Sequence, residues 1–402
     1  MKIIILGAGA SKSYEDSKAK LKMPIANDFF ATFHNLKISE NPWVLIGWIL
    51  NYLKTFHNVE FINFLNYNTD IEVLHSEIQE KLTLALSRSE NYEPNDIVVI
   101  SAYTQLLFLF TSVINEIQNG PVSETHLRIS KCLNDEDIII TFNWDTLMDR
   151  ALNVGTSWKP ETGYFVTPAL IFRNGWQKNK TTESATSPLL LKLHGSTNWL
   201  TSYMVAEDGQ MNLIQESKPD EFYCYESNNT PYSCFQGRYM SGYEDYSYGY
   251  YPPNLPINGK SLPEGYFLTR LNPNFENVPK GITEDKGLDS MPLIIPPVKH
   301  KEYDFFGGLF KNLWEKAEES LTKADEIYII GYSFPVTDIQ TDTLLKKAFI
   351  KRSTIPKIFI VNPYPNAIVE RFQYDYGIPE NAIRVYKEYF SKDFDVEKLF
   401  GH

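Results

Sequence analysis

The sequence has few cysteines. There are three, Cys132, Cys224 and Cys234, and none of them forms a CxxC pair. An odd number of widely spaced cysteines argues against a disulfide framework and against a four-cysteine zinc site. Because disulfides are rare in reducing compartments, we expect a cytoplasmic protein, and the sequence contains no pattern of metal ligands that would predict a metal ion.

Positive charge and long apolar runs are also scarce. The 38 Lys and Arg residues are outnumbered by 50 Asp and Glu residues, which gives a formal net charge of −12. Such a protein repels a phosphate backbone on average, so direct, sequence-specific binding to nucleic acid is not expected. The longest apolar runs, at 43–50 and 106–113, fall well short of the ~20 residues that span a bilayer, so no membrane association is predicted.

What the sequence does have is a series of short aliphatic runs without polar alternation, which is typical of strands covered on both faces. These runs lie at 3–6, 138–141, 189–193, 293–295, 327–330 and 358–361. Apolar residues at helical spacing separate several of them, as in Leu309, Leu313, Ala317 and Leu321. Strands that alternate with helices predict an α/β fold with a Rossmann-like, doubly wound and mostly parallel sheet.

Two long segments interrupt this pattern. The predicted core comprises residues 1–30, 134–200 and 291–402. Residues 31–133 are predicted to form a helical insertion, with one helix beginning near Thr69-Asp70 and carrying Ile71, Leu74, Ile78 and Leu82 on one face. Residues 201–290 form a polar, tyrosine-rich and irregular insertion, which is densest from Tyr239 to Pro256. That segment is either a surface domain whose rings pack on each other or an interface with a subunit or partner.

Small and polar residues follow the strand ends. The first strand leads into Gly7-Ala8-Gly9-Ala10-Ser11, and Lys12 stands where a GxGxxG dinucleotide fingerprint has its third glycine. Glycines here let the backbone approach a pyrophosphate, although a tight strand–helix turn also uses glycine for steric reasons. Later strands end in Asn143-Trp144-Asp145, His194-Gly195-Ser196, Gly331-Tyr332-Ser333 and Asn362. Ligands of an open parallel sheet bind outside the carboxyl ends of its strands, so these residues are predicted to converge on one crevice.

From the residues alone, each of these positions also has a structural interpretation. Asn143 or Asp145 could cap a helix, and Asp338 could cap the helix that follows it. His194 could be a buried structural histidine. Their joint placement on successive strand ends favours a site.

The order GAGAS, TFNWD (141–145), KLHGS (192–196), GYSFPVTD (331–338) and IVNP (360–363) resembles the sirtuin superfamily. Sirtuins have a GAG-type loop, a TxNxD motif, a histidine in an HG motif, a GxS loop and a late asparagine. More particularly, the chain is similar to the bacterial sirtuin-like NAD-hydrolase domains of anti-phage defence systems. It lacks the two CxxC pairs of sirtuin deacylases, whose zinc module the tyrosine-rich insertion would replace. Sirtuin deacylases also have a GIPDFR stretch after the glycine loop. The nearest match in this chain is Met23–Phe29, which contains no arginine.

The resemblance implies that NAD⁺ is bound as a substrate. Asn143 would orient ribose hydroxyls or the attacking water, and Asp145 would stabilise positive charge or fix nicotinamide and ribose. His194 would be a base toward a ribose hydroxyl or water. The residues implied to bind NAD⁺ are Gly7, Ala8, Gly9, Ala10, Ser11, Gly195, Gly331, Ser333, Asp338 and Asn362.

The implied function is that of an NAD⁺ glycohydrolase, which releases nicotinamide and ADP-ribose or its cyclic form. It would act as the effector of an abortive-infection system by depleting NAD⁺. Because unrestrained hydrolysis would be toxic, we expect control by homo-oligomerisation through the insertions, or by a partner such as a hexameric ATPase or helicase. The alternatives are a non-catalytic module that senses NAD⁺ or ADP-ribose and an NAD-dependent protein deacylase or ADP-ribosyltransferase.

Overall fold

A computed structural model describes residues 1–36, 46–60, 63, 69–87, 93–172, 176–180, 186–202, 204–207, 210–213, 222–225, 267–268, 290–296, 308–335 and 338–401. The predicted tyrosine-rich segment from Tyr239 to Pro256 lies outside these residues, and so does most of the predicted insertion 201–290.

The described elements follow one another along the chain in this order: β1 (Lys2–Leu6), α1 (Ala8–Ser11), α2 (Phe29–Asn35), α3 (Gly47–His57), α4 (Ile71–Ser87), α5 (Pro94–Ile117), α6 (Glu124–Lys131), β2 (Ile138–Thr141), α7 (Leu147–Gly155), β3 (Leu170–Phe172), β4 (Trp176–Lys178), β5 (Leu189–Lys192), β6 (Gly195–Ser202), β7 (Met204–Glu207), β8 (Gln210–Leu213), β9 (Tyr223–Tyr225), β10 (Phe267–Leu268), β11 (Ser290–Ile294), α8 (Gly308–Lys323), β12 (Glu326–Ile330), α9 (Ile339–Lys351), β13 (Lys357–Val361), α10 (Asn366–Glu370), β14 (Ile383–Tyr386) and α11 (Val396–Phe400). A π-helical turn (Arg371–Asp375) and a 3-10 turn (Glu380–Ala382) lie between α10 and β14.

Six of the described strands form a parallel sheet in the order β14-β13-β12-β1-β2-β5. Four consecutive residues of β1, Ile3–Leu6, are buried, so both faces of this central strand are covered. β2 and β12, on either side of it, are apolar and buried in the same way. The predicted α/β fold with a doubly wound parallel sheet is confirmed. Numbered along the chain, the six strands lie in the order 3-2-1-4-5-6, so the order reverses between β1 and β12.

The prediction that residues 293–295 belong to this sheet is wrong. β11, which contains Leu293, pairs antiparallel with β6 in a separate five-stranded sheet of order β11-β6-β9-β3-β4. The sixth parallel strand is instead β14, an edge strand in which Arg384 and Val385 are exposed. A run of three apolar residues cannot distinguish the two kinds of sheet, and a half-exposed edge strand has no continuous apolar run to reveal it.

The helices α2 to α5 enclose a second hydrophobic core. The predicted apolar face of α4 is confirmed, since its four residues Ile71, Leu74, Ile78 and Leu82 are buried in this core. α4 begins after Asp70, whose Oδ1 accepts a hydrogen bond of 2.7 Å from the backbone N–H of Glu72. The helical core also includes Tyr14 and Met23 from the segment before α2, whereas Ile129 of α6 packs in the core of the parallel sheet.

Among the described helices, α5 alone is long and apolar enough to cross a membrane by length and composition. Of its most apolar window, 93% is buried inside the protein. Such burial is what a core helix of a globular protein also shows.

His75 of α4 makes the helical core sensitive to acid. Its side chain is fully buried, its ring lies edge-on to Tyr103 at 5.2 Å, and neither ring nitrogen has a hydrogen-bond partner among the described residues. Burial lowers the pKa of His75 from 6.5 to about 3. The unfolded chain therefore binds one more proton than the folded protein between these two values, so stability falls as the pH drops below 6.5.

We expect His75 to contribute a loss of about 1.4 kcal/mol in the free energy of unfolding when the pH is lowered from 7.5 to 5.5. His75→Leu should remove that part of the pH dependence, whereas His34→Leu, at an exposed position of α2, should leave it unchanged. The measurement is chemical unfolding at the two pH values. An equal pH dependence in wild type and His75→Leu would contradict this assignment.

Candidate active site

The structure places the five predicted loops at one edge of the sheet. Strands β13, β12, β1, β2 and β5 are successive neighbours and run in the same direction. The residues that follow their carboxyl ends are Asn362, Gly331–Ser333, Gly7–Ser11, Asn143–Asp145 and His194–Ser196. Ligands of open parallel sheets bind at this edge.

Ser11, Asn143 and Asp145 form one hydrogen-bonded group across the ends of β1 and β2. The Ser11 hydroxyl donates to Asp145 Oδ2 at 2.5 Å, and Asn143 Nδ2 donates to Ser11 Oγ at 2.8 Å. The same Nδ2 also donates to the carbonyl of Gly7 at 2.8 Å. Because a carbonyl can only accept, this contact fixes which end of the Asn143 amide faces the loop. The amide oxygen of Asn143 is then directed elsewhere and accepts no hydrogen bond from any described residue.

Both carboxylate oxygens of Asp145 accept hydrogen bonds. Its Oδ1 accepts a hydrogen bond of 3.0 Å from the backbone N–H of Leu147, the first residue of α7, while the N-cap position of this helix is occupied by Thr146. Its Oδ2 faces Ser11. The side chain is only 7% exposed, so the carboxylate is held from two sides and its geometry is preorganised.

A cavity of about 100 Å³ lies against this group. Its polar wall is formed by Ser11, Asn143 and Asp145, and Trp144 lies beside them. The opposite wall comes from the helical core and from the segment before α2, and it consists mainly of Met23, Pro24, Ile25, Ala26, Phe29, Phe110 and Ile114. Glu72 of α4 also lines the cavity, so its walls are largely apolar but include a second acidic residue besides Asp145.

His194 lies outside the walls of this cavity as far as the described residues define them. It is 2% exposed, and its ring centroid lies 5.3 Å from that of Phe142 and 6.4 Å from that of Trp314. Trp144 lies between the cavity residues and His194 in the sense that it lines the cavity and its ring centroid is 5.7 Å from that of His194. The indole N–H of Trp144 donates to the carbonyl of Ile295 at 2.9 Å. The structure therefore brings Asn143 and Asp145 together and sets His194 behind an aromatic ring.

The glycine loop packs tightly on the loop that follows β12. The backbone N–H of Gly9 donates to the carbonyl of Gly331 at 2.8 Å. A Cβ atom on Gly7 would lie 2.5 Å from the Cα of Tyr332, and one on Gly9 would lie 2.9 Å from the Cα of Gly331. The loops at the reversal of the strand order are thus in direct backbone contact, and the cavity lies beside this contact, at the ends of β1 and β2.

Gly331 provides a test of this contact, because its φ of +64° is matched by Gly377 at +69°. A Cβ at Gly331 would lie 2.2 Å from the backbone nitrogen of Ala10, whereas nothing lies within 4 Å of a Cβ at Gly377. Both alanine substitutions carry the backbone cost of roughly 1–2 kcal/mol. We expect Gly331→Ala to cost about 1–3 kcal/mol more, which lowers the melting temperature by roughly 1–4 °C relative to Gly377→Ala. Equal melting temperatures for the two variants would show that the loops separate freely.

The other predicted binding residues line the same edge with different surroundings. Gly195 has a φ of +77° and packs against the carbonyl of Leu293. Ser333 is exposed. The carboxylate of Asp338, just before α9, accepts a hydrogen bond of 2.8 Å from the Tyr332 hydroxyl. Burial of Tyr332 and the nearby Asp338 carboxylate raise the pKa of Tyr332. Asn362 Oδ1 accepts a hydrogen bond of 2.8 Å from the backbone N–H of Tyr364, which shapes the turn after β13.

Two features of the site were missed from the sequence. The Met23–Phe29 segment forms much of the apolar wall, a role that its sequence does not indicate. Lys192, in the KLHGS motif, is completely buried beneath Asp145. A lysine inside an otherwise aliphatic run is a signal that could have identified the second feature, because a buried lysine needs a partner.

No group of three or more potential metal ligands occurs among the described residues. Cys132 and Cys224, the two cysteines that the structure describes, do not form a disulfide with each other. No protein-family model matches this chain, and no curated protein matches it either.

Proposed function

We propose that the protein is an NAD⁺ glycohydrolase with a Rossmann-like, sirtuin-like core. The observation that carries the proposal is the hydrogen-bonded group of Ser11, Asn143 and Asp145, which faces a largely apolar cavity at the carboxyl edge of the sheet. The strand order 3-2-1-4-5-6, which is typical of dinucleotide-binding folds, supports it. So does the ordered set of sirtuin-like motifs in the sequence.

The size and polarity of the cavity suit one ring of the substrate. A cavity of about 100 Å³ is smaller than the roughly 300–1,000 Å³ that encloses a drug-sized ligand. It would take the nicotinamide ring, with the ring faces against the apolar wall and the carboxamide and ribose toward Asn143 and Asp145. The pyrophosphate and adenosine would extend along the sheet edge past the glycine loop.

The residues present fit cleavage of the nicotinamide–ribose bond. The bond breaks with its electron pair going to the pyridinium nitrogen, so nicotinamide leaves as a neutral molecule and positive charge develops on the ribose. The carboxylate of Asp145, held by Ser11 and by the start of α7, would stabilise that charge. The amide oxygen of Asn143 would accept a hydrogen bond from a ribose hydroxyl or from water. Attack of that water on the ribose carbon, with loss of one proton, completes hydrolysis.

The cellular role rests on the sirtuin-like resemblance alone. In that role the enzyme depletes NAD⁺ during phage infection, and its activity is restrained by self-assembly or by a partner such as a hexameric ATPase or helicase. The part of this role that can be measured is how the rate of NAD⁺ hydrolysis changes with the assembly state of the protein.

The test is a time course of nicotinamide release from NAD⁺ by the purified protein, separated by size into its assembly states. NADH is the matched control, because its uncharged dihydropyridine lacks the cationic leaving group that drives cleavage. Release from NAD⁺ but not from NADH in at least one assembly state is the expected result. Stoichiometric binding of NAD⁺ without release in every state would favour the sensing module instead.

A further inference from the structure

A buried ion pair lies directly beneath the candidate site. Lys192, at the end of β5, is 0% exposed, and its ammonium lies 3.0 Å from Asp149 Oδ2 in α7. The same ammonium donates to the backbone carbonyl of Asp145 at 2.5 Å. Lys192 is not among the described residues that line the cavity. Its side chain is connected to the site by its hydrogen bond to the backbone of Asp145.

The second partner of the pair is fixed from the other side. Asp149 Oδ1 accepts a hydrogen bond from the Tyr164 hydroxyl, and the Asn198 amide donates to the same hydroxyl at 3.3 Å. Burial, with Asp149 nearby, raises the pKa of Tyr164, so this hydroxyl keeps its proton and remains a donor. The ammonium of Lys192 is thus held in one place relative to the strand ends.

Stability alone does not account for such a pair. Removing two charges from water is expensive, and apolar residues of similar volume are often as stable or more stable at such positions. A buried pair at this place instead fixes the position of the Asp145 backbone, because it connects the end of β5 to that backbone.

We propose that Lys192 is a positioning residue that, with Asp149, fixes the main chain of Asp145 and so aims its carboxylate at Ser11 and the cavity. The inference rests on the proposed function for its effect on catalysis, but the positioning itself is measurable without it. Without the ammonium, the carbonyl of Asp145 loses its buried donor, and the turn from β2 into α7 is less restrained.

The test uses the double variant Lys192→Met/Asp149→Asn. The single variant Lys192→Met leaves a buried carboxylate without its cation, and it should lower the melting temperature by roughly 4–6 °C. The double variant removes both charges, and the asparagine amide oxygen still accepts the hydrogen bond from Tyr164. We expect it to regain most of the lost melting temperature, while kcat for nicotinamide release stays about tenfold or more below wild type, with KM changed much less.

Hydrogen exchange provides the second measurement. In the double variant, amide exchange in the peptide 142–149 should be about tenfold faster or more, whereas exchange in β13 stays unchanged. Lys2→Met is the matched control, because Lys2 also donates to a backbone carbonyl, that of Cys132 at 3.3 Å, but at the opposite end of the sheet. It should alter neither nicotinamide release nor exchange in 142–149.

The outcomes separate this inference from the proposed function. Wild-type activity in the double variant, or unchanged exchange in 142–149, overturns the positioning role. If the wild-type protein releases no nicotinamide in any assembly state, the proposed function fails, and the exchange measurement alone decides whether Lys192 holds Asp145.

Discussion

Asp145→Asn is expected to lower kcat for nicotinamide release by roughly 10²–10³-fold while leaving the protein folded. Asparagine has the same shape, and its amide oxygen can still accept the hydrogen bond that Asp145 Oδ1 receives from the backbone of Leu147 at 3.0 Å. What is lost is the negative charge, in a side chain that is 7% exposed and therefore little screened by water. The Ser11 hydroxyl also loses its acceptor at Oδ2, because an amide nitrogen can only donate. Positive charge on the ribose is largest in the transition state, so the loss falls on kcat more than on NAD⁺ binding.

The measurement is steady-state nicotinamide release together with calorimetric NAD⁺ binding. Asp135→Asn is the matched control, since Asp135 is exposed and precedes the amino end of β2, whereas Asp145 follows its carboxyl end. The control should keep the wild-type kcat. A fall in affinity equal to the fall in kcat/KM would mean that Asp145 binds substrate and transition state alike, which contradicts the charge-stabilising role.

The placement of Asp145 illustrates what the sequence can predict. The aliphatic runs of β1, β2 and β5 are buried on both faces, so hydrophobicity alone identifies them, and parallel pairing puts the residues after them at one edge. The same reasoning fails for β14, whose side chains are half exposed, and for β11, which pairs antiparallel outside the main sheet. The local hydrophobic pattern predicts that a strand is buried, but it does not predict the strand with which it pairs.

The cavity could not be predicted for a related reason. Its polar wall follows from strand order, but its apolar wall comes from Met23, Phe29 and Phe110, which are also part of the helical core. Nothing in the spacing of these residues distinguishes a core position from a cavity wall, because both are apolar and buried. The glycines present a similar ambiguity. Gly9 and Gly331 follow strands about 320 residues apart in the chain, and only the folded sheet shows that they pack against each other.

His194 has two possible roles, as a base in the reaction or as a packing residue. The motif resemblance makes it a base, yet its ring is enclosed by Phe142, Trp144 and Trp314 rather than placed in the cavity wall. If His194 takes a proton from water or from a ribose hydroxyl, one of its ring nitrogen atoms must come within hydrogen-bond distance of that group when NAD⁺ binds. If His194 only fills space among these rings, its nitrogen atoms are unimportant to the reaction.

His194→Phe distinguishes these two roles, because phenylalanine keeps an aromatic ring among Phe142, Trp144 and Trp314 but has no nitrogen to accept a proton. We expect this variant to keep its fold and its affinity for NAD⁺, and to lose roughly 10²–10⁴-fold in kcat, the usual contribution of a general base. His194→Ala should lose as much activity and should also melt at a lower temperature, because it leaves a cavity among the rings. Recovery of wild-type kcat by His194→Phe, beside an inactive His194→Ala, would show instead that packing around Trp144 is what the reaction needs from this position.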